Sequence, residues 1–545
     1  MRHPAKTIAA LTAALALTLS TLPITACSQR SVQTTPTNTS KAQVAETGAA
    51  AMTSDATVES TIAYQPEFNT EEYRALTEGG FISPSANPLS TLSADVDTAS
   101  YCNVRRMLTS GYGADEVPAG AVRIEEMLNY FDYSYPAPNN GDDFAIKATM
   151  GDCPWNADTK LLTLGFCAAP YDPASSAGTN LVFLIDISGS MDDPEKLPLL
   201  QQAFEVLLDG LGPDDRVSIV TYASGEHLVL DGAPASERLR ILRAIKSLEA
   251  HGSTNGQAGL SLAYDVAQAH YIDGGVNRIV MASDGDLNVG ITSESDLHDF
   301  VAAKRNTGIY LSVLGFGSGN YKDTKMETLA DCGNGAYHYI DSIGEARRVL
   351  SENLTANVTP FADDVKVQVE FNPALVKAYR LIGYENRELA DEDFKNDAKD
   401  AGEVGPGMQF TVAYEVALAD SALEIAAPEL RYGSQTGSFD TDEFACAALR
   451  YRAFADGAVH EQQLAMSAAS VNAADDDWRF AASVIEFGML LRGSEHAGNA
   501  TLDGVAARLS QMQLDDERAE FASLVELARD PIYVLEDATR MPSGA

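Results

Sequence analysis

Residues 180–193 read NLVFLIDISGSMDD, a stretch in which an apolar run stops abruptly at polar residues. The run 181–185 predicts a strand that is buried on both faces of a sheet. It is followed by Asp186, Ser188 and Ser190, at alternate positions. Oxygen-bearing side chains spaced in this way can face one point beyond the carboxyl end of a strand, where open α/β sheets usually bind ligands. Such hard oxygen donors suit Mg²⁺ or Mn²⁺.

Two later segments would complete such a site. The glycine-flanked loop HGSTNG, residues 251–256, offers the hydroxyl of Thr254. The stretch RIVMASDGD, residues 278–286, predicts a second buried strand that ends at Asp284. We therefore expect three separate pieces of chain to contribute oxygen ligands.

The order Asp-x-Ser-x-Ser, loop threonine, then aspartate followed by glycine resembles the metal-ion-dependent adhesion site of the von Willebrand factor type A (VWA) domain. The resemblance implies an α/β fold, with a Rossmann-like, mostly parallel, doubly wound sheet. In that family the hydroxyls bind the metal directly, the aspartates bind it partly through water, and a ligand carboxylate fills an open position. The metal would be Mg²⁺, with Mn²⁺ or Ca²⁺ as alternatives. The matching residues here are Asp186, Ser188, Ser190, Thr254 and Asp284.

Taken alone, each of these patterns has another interpretation. Asp-x-Ser-x-Ser also occurs in turns, where Ser and Asp cap the starts of helices. Asp192, Asp193 and Asp286 lie close to the motifs, but acidic residues before a helix usually favour its dipole, so we leave them out of the ligand set.

The glycine-rich stretch 315–319 resembles a phosphate-binding loop only weakly. It lacks the Gly-Lys ending of a P-loop and does not form GxGxxG. It predicts a turn, and no nucleotide is expected as a ligand.

The N-terminus has the features of a secretory signal, since basic residues precede an apolar stretch that runs from 8 to 22. Its ending, Ile24 to Cys27, resembles a bacterial lipobox, in which Cys27 is acylated after cleavage. The alternative is an ordinary signal peptide with an incidental cysteine. The prediction is a lipid-anchored protein of the cell membrane or outer membrane that faces outside the cytoplasm.

Composition restricts the possible partners. The 545 residues carry a formal net charge of −40, which argues against nucleic acid and anionic membrane surfaces as electrostatic partners. No stretch after the signal reaches the roughly 20 apolar residues that a membrane span needs, which makes channel activity unlikely as a function. Of the other five cysteines, Cys153 and Cys167 could form a disulfide, or all could be small buried hydrophobic residues.

The regions flanking the α/β domain also resemble parts of one subfamily of bacterial VWA lipoproteins. The similar stretches are DVDTASY at 95–101, VRIEEM at 122–127 and a C-terminal region of unknown function at 480–499. Asp95 and Asp97 are interpreted as helix caps rather than ligands. The predicted segments are 1–27 (signal peptide with lipobox), 28–63 (disordered tether), 64–179 (helices plus strands of a β-sandwich), 180–356 (VWA domain), 357–455 (β-rich, completing the sandwich) and 456–545 (helices).

The predicted function is binding, not catalysis. The chain has no HExxH and no G-x-S-x-G, and Ser188 lacks a neighbouring His or Lys in sequence that could activate it. We expect the metal to capture a carboxylate of a protein or a surface polymer. The alternatives are a structural or assembly factor, in which the metal only stabilises the loops, and, third, an envelope enzyme.

Overall fold

The computed structural model describes residues 70–139, 141–170, 177–254, 256–285, 294–305, 307–425 and 441–530. The predicted signal peptide with Cys27 and the predicted tether lie outside these residues. Everything described belongs to one compact unit of the chain, 66–545.

The strands are β1 (Leu89–Ser93), β2 (Phe144–Asp152), β3 (Lys160–Ala168), β4 (Thr179–Asp186), β5 (Arg216–Tyr222), β6 (Glu226–Pro234), β7 (Val276–Ser283), β8 (Tyr310–Phe316), β9 (Tyr337–Ile340), β10 (Ala362–Phe371), β11 (Val376–Ile382), β12 (Gly402–Val404), β13 (Gln409–Leu418), β14 (Glu443–Ala453), β15 (Val459–Ser467) and β16 (Asn472–Ala473). The α-helices are α1 (Ala99–Thr109), α2 (Ile124–Asn129), α3 (Leu197–Gly210), α4 (Arg238–Lys246), α5 (Gly256–Ala269), α6 (Glu294–Arg305), α7 (Asp323–Cys332), α8 (Ile343–Arg347), α9 (Leu354–Val358), α10 (Asp476–Arg492), α11 (Leu502–Leu509) and α12 (Asp516–Arg529).

The strand predicted from the opening motif, β4, lies in the middle of a six-stranded sheet with the order β6-β5-β4-β7-β8-β9. Its pairings with β5 and β7 are parallel, and only the edge strand β6 runs antiparallel. The chain leaves β4 toward β5 on one side and later returns to β7 on the other. The gap between the carboxyl ends of β4 and β7 is therefore a topological switch point, where sheets of this type bind ligands.

Both faces of this sheet are covered, as the apolar runs predicted. Successive residues of β4 alternate between two cores: Phe183 packs with Phe204 of α3, and Leu184 lies in the core that contains Leu260 of α5. Because helices cover each face, neither set of apolar side chains meets water. The mostly parallel, doubly wound sheet is confirmed.

The flanking β-sandwich consists of two five-stranded sheets, in which most neighbouring strands run antiparallel. One has the order β1-β10-β14-β15, with β12 beside β10, and the other has the order β11-β13-β3-β2-β16. Apolar residues of both sheets, such as Phe166 and Val367, share one core. The strand β3 precedes the α/β domain in sequence and pairs with β13, which follows it. The α/β domain is therefore inserted into the sandwich, as predicted from the change in pattern near residue 357.

The C-terminal segment differs from the prediction in its first part. That part is not helical, since β15 and β16 extend the two sheets within residues 456–475. The helix α10 follows, and it is not buried on one face alone, because every residue from 481 to 489 is buried. The helix lies between α2 and α11, which accounts for burial on all sides.

The start of α1 also corrects the sequence interpretation. Asp95 and Asp97 do not cap the helix, because its N-cap residue is Thr98 and that cap has no side-chain hydrogen bond. Asp97 instead accepts a hydrogen bond from the backbone amide of Tyr337, at 2.7 Å. Both carboxylates contact Arg387, which lies nearly 300 residues further along the chain.

Two further predictions concern cysteines and membrane spans. Cys102, Cys153, Cys167, Cys332 and Cys446 are all free thiols, so Cys153 and Cys167 form no disulfide in this structure. Within the part of the chain that the structure describes, no helix combines the length and the apolar character that crossing a membrane requires.

Candidate metal centre

The five predicted ligands come from three loops at the switch point of the central sheet. Asp186 is the last residue of β4, and Asp284 directly follows β7. Both aspartates and Ser188 are buried, Thr254 is 5% exposed, and Ser190 is half-buried beside the exposed Gly189. The group therefore lies just beneath the surface, with its serine loop facing outward.

Asp186 organises the serine loop. Its Oδ1 accepts a hydrogen bond from the backbone amide of Ser188 at 2.8 Å, and its Oδ2 accepts one from the hydroxyl of Ser283 at 3.1 Å. The turn that results brings the hydroxyls of Ser188 and Ser190 within 3.1 Å of each other. Alternate residues after β4 thus do converge on one point, as the spacing predicted.

Backbone hydrogen bonds bring the loop of Thr254 to the serine loop. The amide of His251 donates to the carbonyl of Ile187 at 2.7 Å, and the amide of Gly189 donates to the carbonyl of Gly252 at 3.1 Å. Gly252 has a φ of +81°, a conformation that favours glycine over other residues. The two loops are therefore fixed to each other three residues or fewer from Thr254.

Asp284 is bound by groups that the sequence interpretation did not include. The ammonium of Lys196 lies 3.0 Å from its Oδ2, and the side-chain amide of Asn320 donates to the same oxygen at 3.0 Å. Lys196 also donates to the Oδ1 of Asn320 at 2.7 Å. The hydroxyl of Ser190 also helps to lower the pKa of Asp284, so the first loop acts on the third.

The two aspartates differ in their electrostatic environment. Burial and the nearby Asp284 carboxylate raise the pKa of Asp186 to about 7, against the hydrogen bonds from Ser188 and Ser283. Burial also acts to raise the pKa of Asp284, but Lys196, with Ser190 and Asn320, holds it below its ordinary value. The positive charge of Lys196 thus lies beside Asp284, and no cation is described beside Asp186.

This donor set fits a hard divalent cation. It supplies two carboxylates and three hydroxyls, which are the ligand types that Mg²⁺, Mn²⁺ and Ca²⁺ prefer. The hydroxyls of Ser188 and Ser190 are already at the separation expected of neighbouring ligands of one ion. One buried aspartate also lacks a cationic partner among the contacts described for it, a shortage that a metal ion would relieve.

Three contributors were missed: Lys196, Ser283 and Asn320. Ser283 adjoins a predicted ligand and could have been proposed from that position alone. Asn320 directly follows the glycine-rich stretch 315–319. The first two residues of this stretch end β8, and beyond them Gly317 and Gly319 have φ of +78° and +84°. Lys196 is eight residues after Ser188, and its role depends on side-chain direction, which the sequence pattern does not give.

Three family models match the chain, and together they cover most of it. The model described as von Willebrand factor type A domain matches residues 180–352, and one described as von Willebrand factor matches 67–163. The model described as "Uncharacterized protein YfbK, C-terminal" matches residues 356–530.

The chain is also similar to individual proteins. Uncharacterized protein YfbK of Escherichia coli (strain K12) is 39% identical over 472 residues, which cover 84% of this chain and 81% of that protein. Inter-alpha-trypsin inhibitor heavy chain H3 of Mesocricetus auratus is 27% identical over 266 residues, 45% of this chain and 30% of that protein. Among solved structures, von Willebrand factor type A from Catenulispora acidiphila aligns with a TM-score of 0.38 and 16% identity, over 66% of this chain and 79% of that one.

Proposed function

The chain belongs to the YfbK family of proteins with a von Willebrand factor type A domain, and from this premise we propose that it binds a protein ligand through a divalent metal ion. The metal is Mg²⁺, with Mn²⁺ and Ca²⁺ as possible substitutes. A carboxylate of the ligand, from a protein or a surface polymer, completes the coordination. The function is recognition rather than catalysis.

The observation that carries this proposal is the convergence of Ser188 and Ser190 between two buried aspartates. Their hydroxyls are 3.1 Å apart, Asp186 accepts a hydrogen bond from the amide of Ser188, and Ser190 helps to lower the pKa of Asp284. The loop is exposed at Gly189. An ion held here by Asp186, Ser188, Ser190, Thr254 and Asp284 could be reached by a ligand from solvent.

The bound ion would supply a Lewis acid that accepts a ligand carboxylate. This chain's own residues determine how that site is presented. Ser283 and the amide of Ser188 fix both oxygens of Asp186, so the carboxylate keeps one orientation. The backbone bonds from Gly189 and His251 hold the serine and threonine loops together. A prearranged site loses little conformational entropy when it binds.

The net charge of −40 makes the metal necessary for an acidic ligand. Without it, a carboxylate would approach a negatively charged protein. A divalent ion reverses the local potential over a few ångströms, and salt screens the rest beyond a Debye length of about 8 Å. Ligand binding should therefore be lost in EDTA.

The first test is thermal unfolding of the full-length chain during titration with Mg²⁺, Mn²⁺ and Ca²⁺, beside the Asp186→Ala variant. A metal at 100 times its dissociation constant stabilises the folded state by about 2.7 kcal/mol. We expect the metal to raise the unfolding midpoint of the wild type and to leave that of the variant unchanged. If the wild type does not respond to any of the three ions, the proposal is wrong.

The same variant separates recognition from a structural role. If Asp186→Ala melts like the metal-free wild type but no longer retains a ligand captured by the wild type with Mg²⁺, the metal serves recognition. If it melts far below the metal-free wild type, the loops depend on Asp186 for folding, and the structural or assembly role is favoured.

We also propose that the protein is anchored in the cell envelope through Cys27. The support is the lipobox-like sequence that ends at this residue. Metabolic labelling with a radioactive fatty acid should mark the wild type but not Cys27→Ser, and the variant should leave the membrane fraction. Equal labelling of both proteins would contradict the anchor.

A further inference from the structure

Lys196 is a buried cation that belongs to the metal centre. Its side chain is 6% exposed, and its ammonium contacts only polar atoms of Asp284 and Asn320 among the described hydrogen bonds. It is the residue immediately before α3, so its backbone is fixed by the helix start. A lysine is rarely buried to this extent unless its charge is paired.

The fold provides a fitted space for this side chain. A Cβ on Gly317 would lie 2.1 Å from Cε of Lys196 and 2.4 Å from its Cγ. Gly317 also has a positive φ of +78°. Residue 317 therefore has to be glycine for two independent reasons, and one of them is room for the lysine.

The loop that carries Asn320 is fixed from outside the α/β domain. Residues 70–72 lie beside it. The amide of Thr70 donates to the carbonyl of Gly319 at 2.7 Å, and the amide of Glu72 donates to the carbonyl of Tyr321 at 2.9 Å. The Oε1 of Glu71 accepts a hydrogen bond from the amide of Gly319 at 2.8 Å. The position of Asn320, and with it that of the ammonium, is thus held on two sides.

This arrangement determines how much charge a metal ion meets. With both aspartates ionised, the ammonium neutralises one of the two carboxylates, so an arriving ion meets a single excess negative charge. Since a charge a few ångströms away acts strongly in a partly buried site, the ammonium opposes metal binding. Once a divalent ion is bound, the same ammonium leaves the centre with a net positive charge.

We propose that Lys196 is an internal counter-cation that weakens the affinity of the centre for divalent metal ions. The inference rests on the proposed function, because it concerns the same centre. In the metal-free protein the lysine holds Asp284 and Asn320 in place. In the metal-bound protein Asp284 is a neighbour of both the lysine and the ion. Metal binding therefore becomes dependent on the surrounding metal concentration instead of being permanent.

The test is isothermal titration of the full-length chain with Mn²⁺, comparing the wild type with Lys196→Met, which keeps the length of the side chain and removes its charge. We expect the variant to bind Mn²⁺ at least about tenfold more tightly. Lys246→Met is the matched control, because Lys246 is an exposed lysine of α4 paired with Glu205. It changes the net charge equally and should leave the affinity unchanged.

Removing the ammonium leaves Asp284 buried with less compensation, so a second variant is needed. Lys196→Gln keeps a hydrogen-bond donor and should show the same gain in affinity. A variant that remains unfolded in saturating Mn²⁺ overturns the proposal, since the lysine is then required for folding itself.

The outcomes also separate this inference from the proposed function. If the wild type binds Mn²⁺ and the Lys196 variants bind it equally or more weakly, the counter-cation role is wrong and the metal centre stands. If neither the wild type nor the variants bind Mn²⁺, both proposals fall.

Discussion

Two groups of buried carboxylates among the described residues differ in their partners, and one of them has the features of a metal centre. The first is the centre at Asp186 and Asp284. The second, here called the junction cluster, consists of Asp95, Asp97 and Glu126, with one oxygen of each lying within 4.8 Å of the others. The junction cluster thus has three carboxylates, whereas the centre at Asp186 and Asp284 has two.

The neighbours of the junction cluster are guanidinium groups. Arg387 contacts Asp97 at 3.1 Å and also Asp331 of α7 at 2.6 Å. Arg123 pairs with Glu126 and, at 2.6 Å, with Asp323. These acids therefore join the segment before α1, α2 and α7 to the segment after β11. Guanidinium groups of the protein balance part of their negative charge.

The metal centre has hydroxyls where the junction cluster has arginines. Its one described cation, Lys196, contacts Asp284 and leaves Asp186 to the serine loop. It also reaches the surface at Ser190 and Gly189. Under the proposed function, the partners of these buried carboxylates matter more for metal binding than their number.

The largest expected effect comes from breaking the junction cluster. Arg387→Met should destabilise the folded protein by about 3–5 kcal/mol, because it leaves buried carboxylates without their cation. Chemical denaturation followed by circular dichroism measures this loss. Metal binding at Asp186 should not change as long as the variant is folded.

Arg479→Met is the matched control for that loss. Arg479 pairs with Asp476 on the surface of α10, and both side chains are more than half exposed. Exposed pairs contribute little, so the free energy of unfolding should change by less than about 1 kcal/mol. Equal losses in the two variants would show that Arg387 has no special role.

Glu125 is a further buried carboxyl, and it lies next to the junction cluster. It is fully buried, and burial, with Glu385 and Asp95, raises its pKa to about 7. The amide of Tyr384 and the side chain of Arg492 act in the opposite direction. A carboxyl whose folded pKa exceeds its unfolded value near 4.5 stabilises the folded state below pH 4.5. That contribution is lost as the pH rises through about 7.

Glu125→Gln should therefore unfold like the wild type at pH 5 and be more stable at pH 8. The difference between the folded and unfolded pKa values of Glu125 corresponds to roughly 3 kcal/mol in the free energy of unfolding at the higher pH. Urea denaturation of both proteins at several pH values measures the difference. A difference that does not change between pH 5 and pH 8 would show that Glu125 is not protonated in the folded protein.

The grouping of the candidate ligands could be predicted from the sequence, because the two aspartates follow strands. Apolar runs identify β4 and β7, and parallel strands bring their carboxyl ends to one edge of the sheet, so Asp186 and Asp284 had to be neighbours. The alternation of residues after β4 then placed Ser188 and Ser190. None of this needed knowledge of how side chains pack.

The junction cluster could not be predicted in the same way. Arg387 and Asp97 are 290 residues apart, and no local pattern relates them. Asp97 precedes a helix, and its local sequence resembles a cap. The tertiary contact with Arg387 and with the amide of Tyr337 replaced that local option. Lys196 was missed for a similar reason, since one of its partners, Asn320, lies on a loop that is hydrogen-bonded to residues 70–72.

The smallest predicted effect tests whether a neighbour of the metal ligands controls the centre. Ser283 donates to Asp186 at 3.1 Å and accepts a hydrogen bond from the amide of Gly285 at 3.0 Å, so it aligns one ligand and the turn after β7. Removing a residue that orients a ligand typically costs about 10–100-fold in metal affinity. Ser283→Ala should therefore bind Mn²⁺ 10–100-fold more weakly, as measured by isothermal titration.

Ser218→Ala shows whether this loss is specific. Ser218 is equally buried on β5 and accepts a hydrogen bond from the amide of Gly232 at 2.9 Å, away from the ligands. Both variants lose a buried hydroxyl and should lose a similar stability of about 1 kcal/mol. Only Ser283→Ala should lose metal affinity. If the two variants bind Mn²⁺ alike, the hydrogen bond from Ser283 to Asp186 does not limit the affinity of the centre.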